Sequence, residues 1–201
     1  MKRILVPLLV VCLLLSALTI LPIHGESAIY DSVIRLHVIA NSDSDEDQAL
    51  KLAVRDAVLK TTSELLKDAR TRDEAEVILS GNLELIEAVA GEQVRKSGYG
   101  DAVSVSIGME DYPTREYENL AFPAGEYLSL RVMIGEAQGK NWWCVLFPPL
   151  CLSAATEKRE AEETFLAAGL TEEQYRIITD SDNAKYKLRF KILEVAQELF
   201  G

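Results

Sequence analysis

The sequence predicts an α+β domain, a mainly antiparallel sheet of four or five short strands packed by helices, behind an N-terminal signal segment. Three observations predict it. Residues 1–25 set Lys2 and Arg3 ahead of an apolar run over 4–23 that contains no ionisable side chain. Between 44 and 90 apolar residues recur at helical spacing, while at 29–40, 102–107 and 126–134 the apolar period falls to two, as half-buried strands require.

The opening segment has the layout of a signal sequence: a basic pair, an apolar stretch, then small residues around Gly25, Ser27 and Ala28 where a peptidase can cut. Twenty helical residues at about 1.5 Å each also just span a hydrocarbon core of about 30 Å, so residues 1–25 are read as a signal peptide or a signal anchor. In either case Lys2 and Arg3 hold the N-terminus in the cytoplasm, and residues 28–201 form a single extracytoplasmic domain. Membrane contact runs through the N-terminal segment if it is not cleaved. The formal net charge of the chain is −11, and about −13 without Lys2 and Arg3. An acidic chain of this kind lacks the basic face that phosphate binding needs, so nucleic acid is not an expected ligand.

The first strand is expected within 29–40, with Ile34, Leu36, Val38 and Ala40 on one face and Arg35 and His37 on the other. Asn41 to Asp47 follow as capping and acidic residues before a helix over about 44–68, carried by Leu50, Ala53, Val54, Ala57 and Val58. A second helical stretch over about 72–90 is split or kinked at Gly81 and Asn82, after which Gly91, Gly98 and Gly100 loosen the chain. Strands return at 102–107 and 126–134. Between them, Tyr112 to Tyr117 and Phe122-Pro123-Ala124-Gly125 read as loop and turn. The segment 141–147 is a short buried strand or a loop, stopped by Pro148 and Pro149. Helices are expected at 157–168 and 171–179, the latter opened by the capping box Thr171-Glu172-Glu173-Gln174. Residues 185–200 fit either a helix or a strand.

Few residues carry chemistry. Asp43, Asp45 and Asp47 invite a calcium-loop reading, but Gln48 stands where that loop needs Gly and Val54 where it needs Glu, so no metal site is expected. First-turn acids have a simpler role, opposing the positive end of the helix dipole with Ser42 or Ser44 as cap. His37 is the one histidine after Gly25, so a Cys-His mechanism would pair it with Cys144 or Cys151. Its face also suits a solvent-facing or hydrogen-bonded side chain. Carboxylate pairs at Glu110 with Asp111, or Glu116 with Glu118, would suit glycosidase-like chemistry. Cys144 and Cys151 are either a disulfide or two free buried thiols. Both tryptophans, Trp142 and Trp143, fall between Asn141 and Cys144. Neighbours on a strand point to opposite faces, so either one anchors the core while the other meets a partner, or both belong to the core.

The stretch Ile34-Arg35-Leu36-His37-Val38-Ile39-Ala40-Asn41-Ser42-Asp43-Ser44, with Glu46 to Leu52 and Val54 to Val58, resembles the stage II sporulation protein R family of endospore-forming bacteria. Tyr112-Pro113-Thr114-Arg115, Pro123-Ala124-Gly125-Glu126-Tyr127 and Gly139-Lys140-Asn141-Trp142-Trp143-Cys144-Val145-Leu146-Phe147-Pro148-Pro149-Leu150-Cys151 are similar to the rest of that family's core. The likeness runs over about 30–151.

The resemblance implies a protein made in the forespore and exported across its membrane into the intermembrane space, secreted or N-terminally anchored. It implies a signalling role rather than an enzyme: activation of the mother-cell membrane aspartic protease that processes pro-sigma-E, with no cofactor. Arg35, His37, Asn41, Asn141, Trp142 and Trp143 are the candidate partner-binding residues. The competing expectation is an envelope hydrolase using Cys144 with His37 or a carboxylate pair.

Overall fold

A computed structural model describes residues 29–117, 120–149, 165–167 and 169–179. The element order is β1 (Ile34–Ile39), α1 (Asp45–Leu66), α2 (Arg72–Ser80), α3 (Leu83–Lys96), β2 (Val103–Tyr112), β3 (Arg115–Tyr117), β4 (Leu120–Phe122), β5 (Gly125–Ile134), β6 (Asn141–Phe147) and α4 (Glu172–Thr179). The expected α+β class is what forms. Its main sheet has the order β2-β5-β1-β6, and β3 pairs with β4 in a separate two-stranded sheet. The sheet is mixed: β2–β5 and β1–β6 are antiparallel, whereas β1 and β5 are parallel. Among the described residues no helix is long and apolar enough to cross a membrane.

The helices follow from periodicity and caps. In α1 the residues Leu50, Val54, Val58, Thr62 and Leu66 lie buried along one stripe. Ser44 caps it, accepting from Asp47 N–H at 3.1 Å, with Asp45, Glu46 and Asp47 in the first turn. Thr71 caps α2 in the same way through Glu74 N–H. The chain does split at Gly81 and Asn82, where Asn82 Nδ2 donates to the Ile78 carbonyl at 2.8 Å. Gly91 was expected to lie in a loosened segment. Instead α3 runs through it to Lys96, because Ile86, Ala90 and Val94 keep a buried stripe at four-residue spacing on both sides of it.

One strand clearly exceeds its expected length. β2 continues past Gly108 to Tyr112 because β5 pairs with all of it, from Val103 opposite Ile134 to Tyr112 opposite Gly125. The loop expected after Tyr112 folds into β3 and β4. The segment 141–147 is a strand, held by β1 on one side. The expected helix at 171–179 is present as α4, with Gln174 N–H donating to Thr171 Oγ1 and Thr171 N–H to Gln174 Oε1. Of the helix expected at 157–168, residues 165–167 are helical and the rest lies outside the described residues, as do residues 1–25 and 185–200.

The two faces of the sheet are covered differently. Ile34, Leu36, Val38, Leu128, Leu130, Val132, Ile134 and Leu146 pack against the stripes of α1, α2 and α3 in an aliphatic core. The opposite face carries a second cluster: Val33, Tyr112, Phe122, Tyr127, Val145, Phe165 and residues of α4.

Candidate functional site

The loop of residues 135–140 must pass over the end of β1 to join β5 to β6, and the Asn-Ser-Asp sequence after β1 holds it there. Asn41 Oδ1 accepts from Glu136 N–H at 2.9 Å, Asp43 Oδ1 from Lys140 N–H at 2.6 Å, and the Asn41 carbonyl from Gln138 N–H. Asp47 closes the network by accepting from Asn41 Nδ2 and Ser42 Oγ. Those two hydrogen bonds, from Ser42 first, hold its carboxyl below the ordinary carboxylate range. The crossing admits no side chain at two places. A Cβ on Gly139 would stand 2.1 Å from the Ser42 carbonyl oxygen, and Gly135, at φ +57°, would place one 2.3 Å from Asn41 Oδ1. Of the acids that resemble a calcium loop, Asp43 is thus engaged with a loop amide and Asp47 with Asn41 and Ser42. Asn41 ties the β5–β6 loop and the first turn of α1 to the end of β1.

Arg35, His37 and Trp143 meet on the face away from α1–α3. Arg35 is 0% exposed. Its Nε donates to the Cys144 carbonyl at 3.1 Å, and its guanidinium lies 4.5 Å from the Tyr112 ring centroid, 5.1 Å from Phe122 and 5.2 Å from Tyr127. A charge so enclosed is stabilised by these rings and this carbonyl, and it offers no surface to a partner. Tyr112 Oη and Ser129 Oγ are hydrogen-bonded at 2.7 Å within the same cluster, and Tyr127 Oη donates to the Pro123 carbonyl.

Beside this box lies His37, 6% exposed. β1 is an inner strand, so of its two expected fates His37 takes the hydrogen-bonded one. Nδ1 stands 2.8 Å from Glu110 Oε1 on β2. Burial pushes the Glu110 carboxyl up, but the His37 hydrogen bond and charge outweigh it, with Ser129 and Arg131 adding to them, and the carboxyl ends below its ordinary value. An ionised carboxylate accepts only, so Nδ1 carries the proton and donates. Trp143 lies 5.3 Å from the imidazole centroid, and Arg115 stacks on the indole with its guanidinium 3.7 Å from a ring centroid. Arg131 Nη1 reaches Glu110 Oε1 at 3.8 Å from the rim. Carrying the strand expected at 102–107 past Gly108 to Tyr112 would have placed Glu110 on a strand, but its pairing with His37 also needs the order β2-β5-β1, which alternation does not give.

Trp142 points the other way. It is 37% exposed, with Arg55 of α1 stacked 4.2 Å from its ring centroid, and Asn141 is exposed beside it. The six candidate residues therefore divide into a buried arginine, a buried histidine, a loop-anchoring asparagine, a half-buried tryptophan on their face, and an exposed Asn141–Trp142 pair.

Cys144 is disulfide-bonded, and Cys151 lies outside the described residues. In the register Cys144 stands opposite Leu36 and joins the aliphatic face, whereas His37 stands opposite Trp143. The Cys144–His37 arrangement expected for a hydrolase fails on geometry, since the two side chains occupy opposite faces of the sheet. The carboxylate pair Glu110 and Asp111 fails for the same reason, being consecutive on β2. Glu118 of the other pair lies outside the described residues. Among the described residues no three His, Cys, Asp or Glu side chains group as metal ligands.

Comparison with known proteins adds what geometry alone does not. The family model described as "Stage II sporulation protein R (spore_II_R)" matches residues 30–157, more than half of the chain. The chain belongs to the stage II sporulation protein R family. A relative named "Stage II sporulation protein R", from Bacillus subtilis (strain 168), is 45% identical over 121 residues, which cover 60% of this chain and 54% of the relative. The chain thus spans about half the length of that curated relative. No solved structure matches. The matched residues of this stage II sporulation protein R family member contain the whole β2-β5-β1-β6 sheet, its three helices and both tryptophans, while α4 lies beyond them.

Proposed function

We propose that the chain is a secreted intercompartmental signal of endospore formation that activates the mother-cell membrane aspartic protease to process pro-sigma-E. Membership of the stage II sporulation protein R family, over residues 30–157, is the observation that carries this reading. The apolar segment behind Lys2 and Arg3 supports export across the forespore membrane into the intermembrane space, with release by cleavage or retention as an anchor. The site supports a ligand rather than an enzyme. The imidazole of His37 is committed to Glu110 on one nitrogen and enclosed, and Cys144 is disulfide-bonded on the other face of the sheet.

In this reading the protein binds the extracytoplasmic part of the protease more tightly in its active state and shifts that equilibrium. The contact surface is centred on Asn141, Trp142 and the exposed edge of Trp143, while Arg35, His37 and Asn41 hold the strands that present it. An interface of ordinary stability covers about 800 Å² on each partner, so these aromatics form its centre and neighbouring surface its rim.

Co-production of the chain with the protease and pro-sigma-E in a non-sporulating host tests the proposal. Cleavage of the precursor should depend on the chain, and should survive His37→Gln. Equal cleavage without the chain overturns it.

A further inference from the structure

Among the described residues β2 lies at one edge of the main sheet and has a neighbour on one side only. The bond from Gly135 N–H to the Ala102 carbonyl, in the register that sets Val103 opposite Ile134, fixes which residues face inward. Ser104, Ser106 and Gly108 direct their backbone groups to β5; Val105, Ile107 and Met109 direct theirs outward. Of the outward groups, Val105 N–H donates to Glu87 Oε2 at 3.0 Å. Among the described residues no hydrogen bond engages the outward N–H and carbonyl of Ile107 or Met109. The run Val103 to Met109 is Val-Ser-Val-Ser-Ile-Gly-Met, without the Lys, Pro or inward charge that usually blunts a sheet edge, and Met109 is 53% exposed.

We propose that this edge takes up an extended segment of a partner protein by strand addition, and that the segment carries a lysine or arginine near its end. The backbone of Ile107 and Met109 supplies the ladder bonds. The charge of the occupant follows from what borders the edge. At the start of β2 a surface depression is lined by Glu84, Glu87 and Asp101, with Arg95 as its cation, and at the far end Asp111 stands opposite Glu126, while Glu110 beside them is engaged by His37 and Arg131. A second copy of the chain fits poorly. Pairing Ile107 with Met109 across a two-fold axis would set Asp111 of each copy opposite Val105 of the other, beside the Glu87 carboxylate already there, in a chain of net charge −11. The inference goes beyond the signalling reading and does not rest on it, since it holds whichever protein supplies the strand.

The test uses the full chain in mild detergent and a terminally blocked peptide, Lys-Val-Thr-Val-Thr-Val-Lys, with Glu in place of both Lys as the control. The lysine peptide is expected to bind saturably, to slow amide hydrogen exchange at Ile107 and Met109 at least tenfold, and to bind at least tenfold more tightly than the control. Met109→Pro, which removes an outward N–H and no inward one, is expected to abolish binding, and Glu87→Lys to weaken it at least tenfold. Equal affinity for the two peptides, or no added protection at Ile107 and Met109, overturns the proposal, and the protection measurement needs no variant. Protection of the same amides that rises with protein concentration in the absence of peptide also overturns it, in favour of a second copy.

Discussion

The two faces of the sheet solve one problem by different chemistry. Toward α1, α2 and α3, β1 and β5 present Ile34, Leu36, Val38, Leu128, Leu130 and Val132, and burial of aliphatic area drives the packing. Toward the other side the same strands present Arg35, His37, Tyr127 and Ser129, and each buried polar group there needs a named partner. The difference teaches that stability on the first face is spread over many interchangeable side chains, whereas on the second it depends on geometry that single substitutions destroy.

The largest break in the comparison is a truncation on the aliphatic face. Leu130→Ala removes a fully buried side chain from the centre of β5 and should cost about 2–5 kcal/mol, read as a fall in the urea midpoint at unchanged slope. Arg35→Met probes the other face at similar volume. It deprives the buried Cys144 carbonyl of its donor and should cost about 1–3 kcal/mol. If Arg35→Met is neutral or stabilising, the enclosed guanidinium was a net burden and the second face is held by its rings alone.

The faces should also separate with pH. Glu110 titrates below its unfolded value of 4.5, so its pairing with His37 and Arg131 stabilises the fold fully above pH 4.5, and that contribution disappears as the pH falls from there through the lower folded value. Asp47 behaves alike below 3.8. Glu110→Gln should lower stability at pH 7 by about 1–2 kcal/mol and flatten the decline below pH 4.5, as followed by thermal unfolding from pH 3 to 7. Leu130→Ala should shift the whole curve down without changing its shape. An unaltered acid limb in Glu110→Gln would remove the His37–Glu110 pair from the account.

How much of this was legible in the sequence divides along the same line. Period alone locates β1, α1 and β5, because aliphatic burial imposes period two or 3.6 on any sequence that packs one face, and Gly81 with Asn82 marks the helix break. The polar face obeys no such rule. Arg35 and His37 interrupt an apolar strand and read as its outer side, since nothing local reveals that Tyr112, Tyr127 and Glu110, more than 70 residues away, cover them. Gly108 ended the apparent strand early and hid Glu110. The parallel pairing of β1 with β5 joins strands separated by three helices and by β2, β3 and β4, and a strand's own period does not say which neighbour it takes. Asn141, Trp142 and Trp143 were recognisable as unusual, and the alternation that parts the two tryptophans was predictable, but not that each would be capped by its own arginine.

Those two arginine caps yield the smallest stability effect and the finest distinction. Arg55 covers Trp142 on the helix side and Arg115 covers Trp143 on the polar side, both near the surface. A cation over an exposed ring contributes about 0.5–1 kcal/mol, so Arg55→Ala should lower stability by no more than that. Trp142→Ala likewise leaves little behind, because the indole is already partly in water, whereas Trp143→Ala strips His37 and Arg115 of a shared neighbour and should cost more. In the precursor-processing assay the order should reverse. Trp142 is the more accessible anchor, and its loss should reduce cleavage of pro-sigma-E while the unfolding midpoint barely moves, since a binding anchor acts on the complex and not on the free fold. Processing that follows the stability of the variants, and not the exposure of the tryptophan removed, would mean that both rings serve the fold and that neither is the contact proposed above.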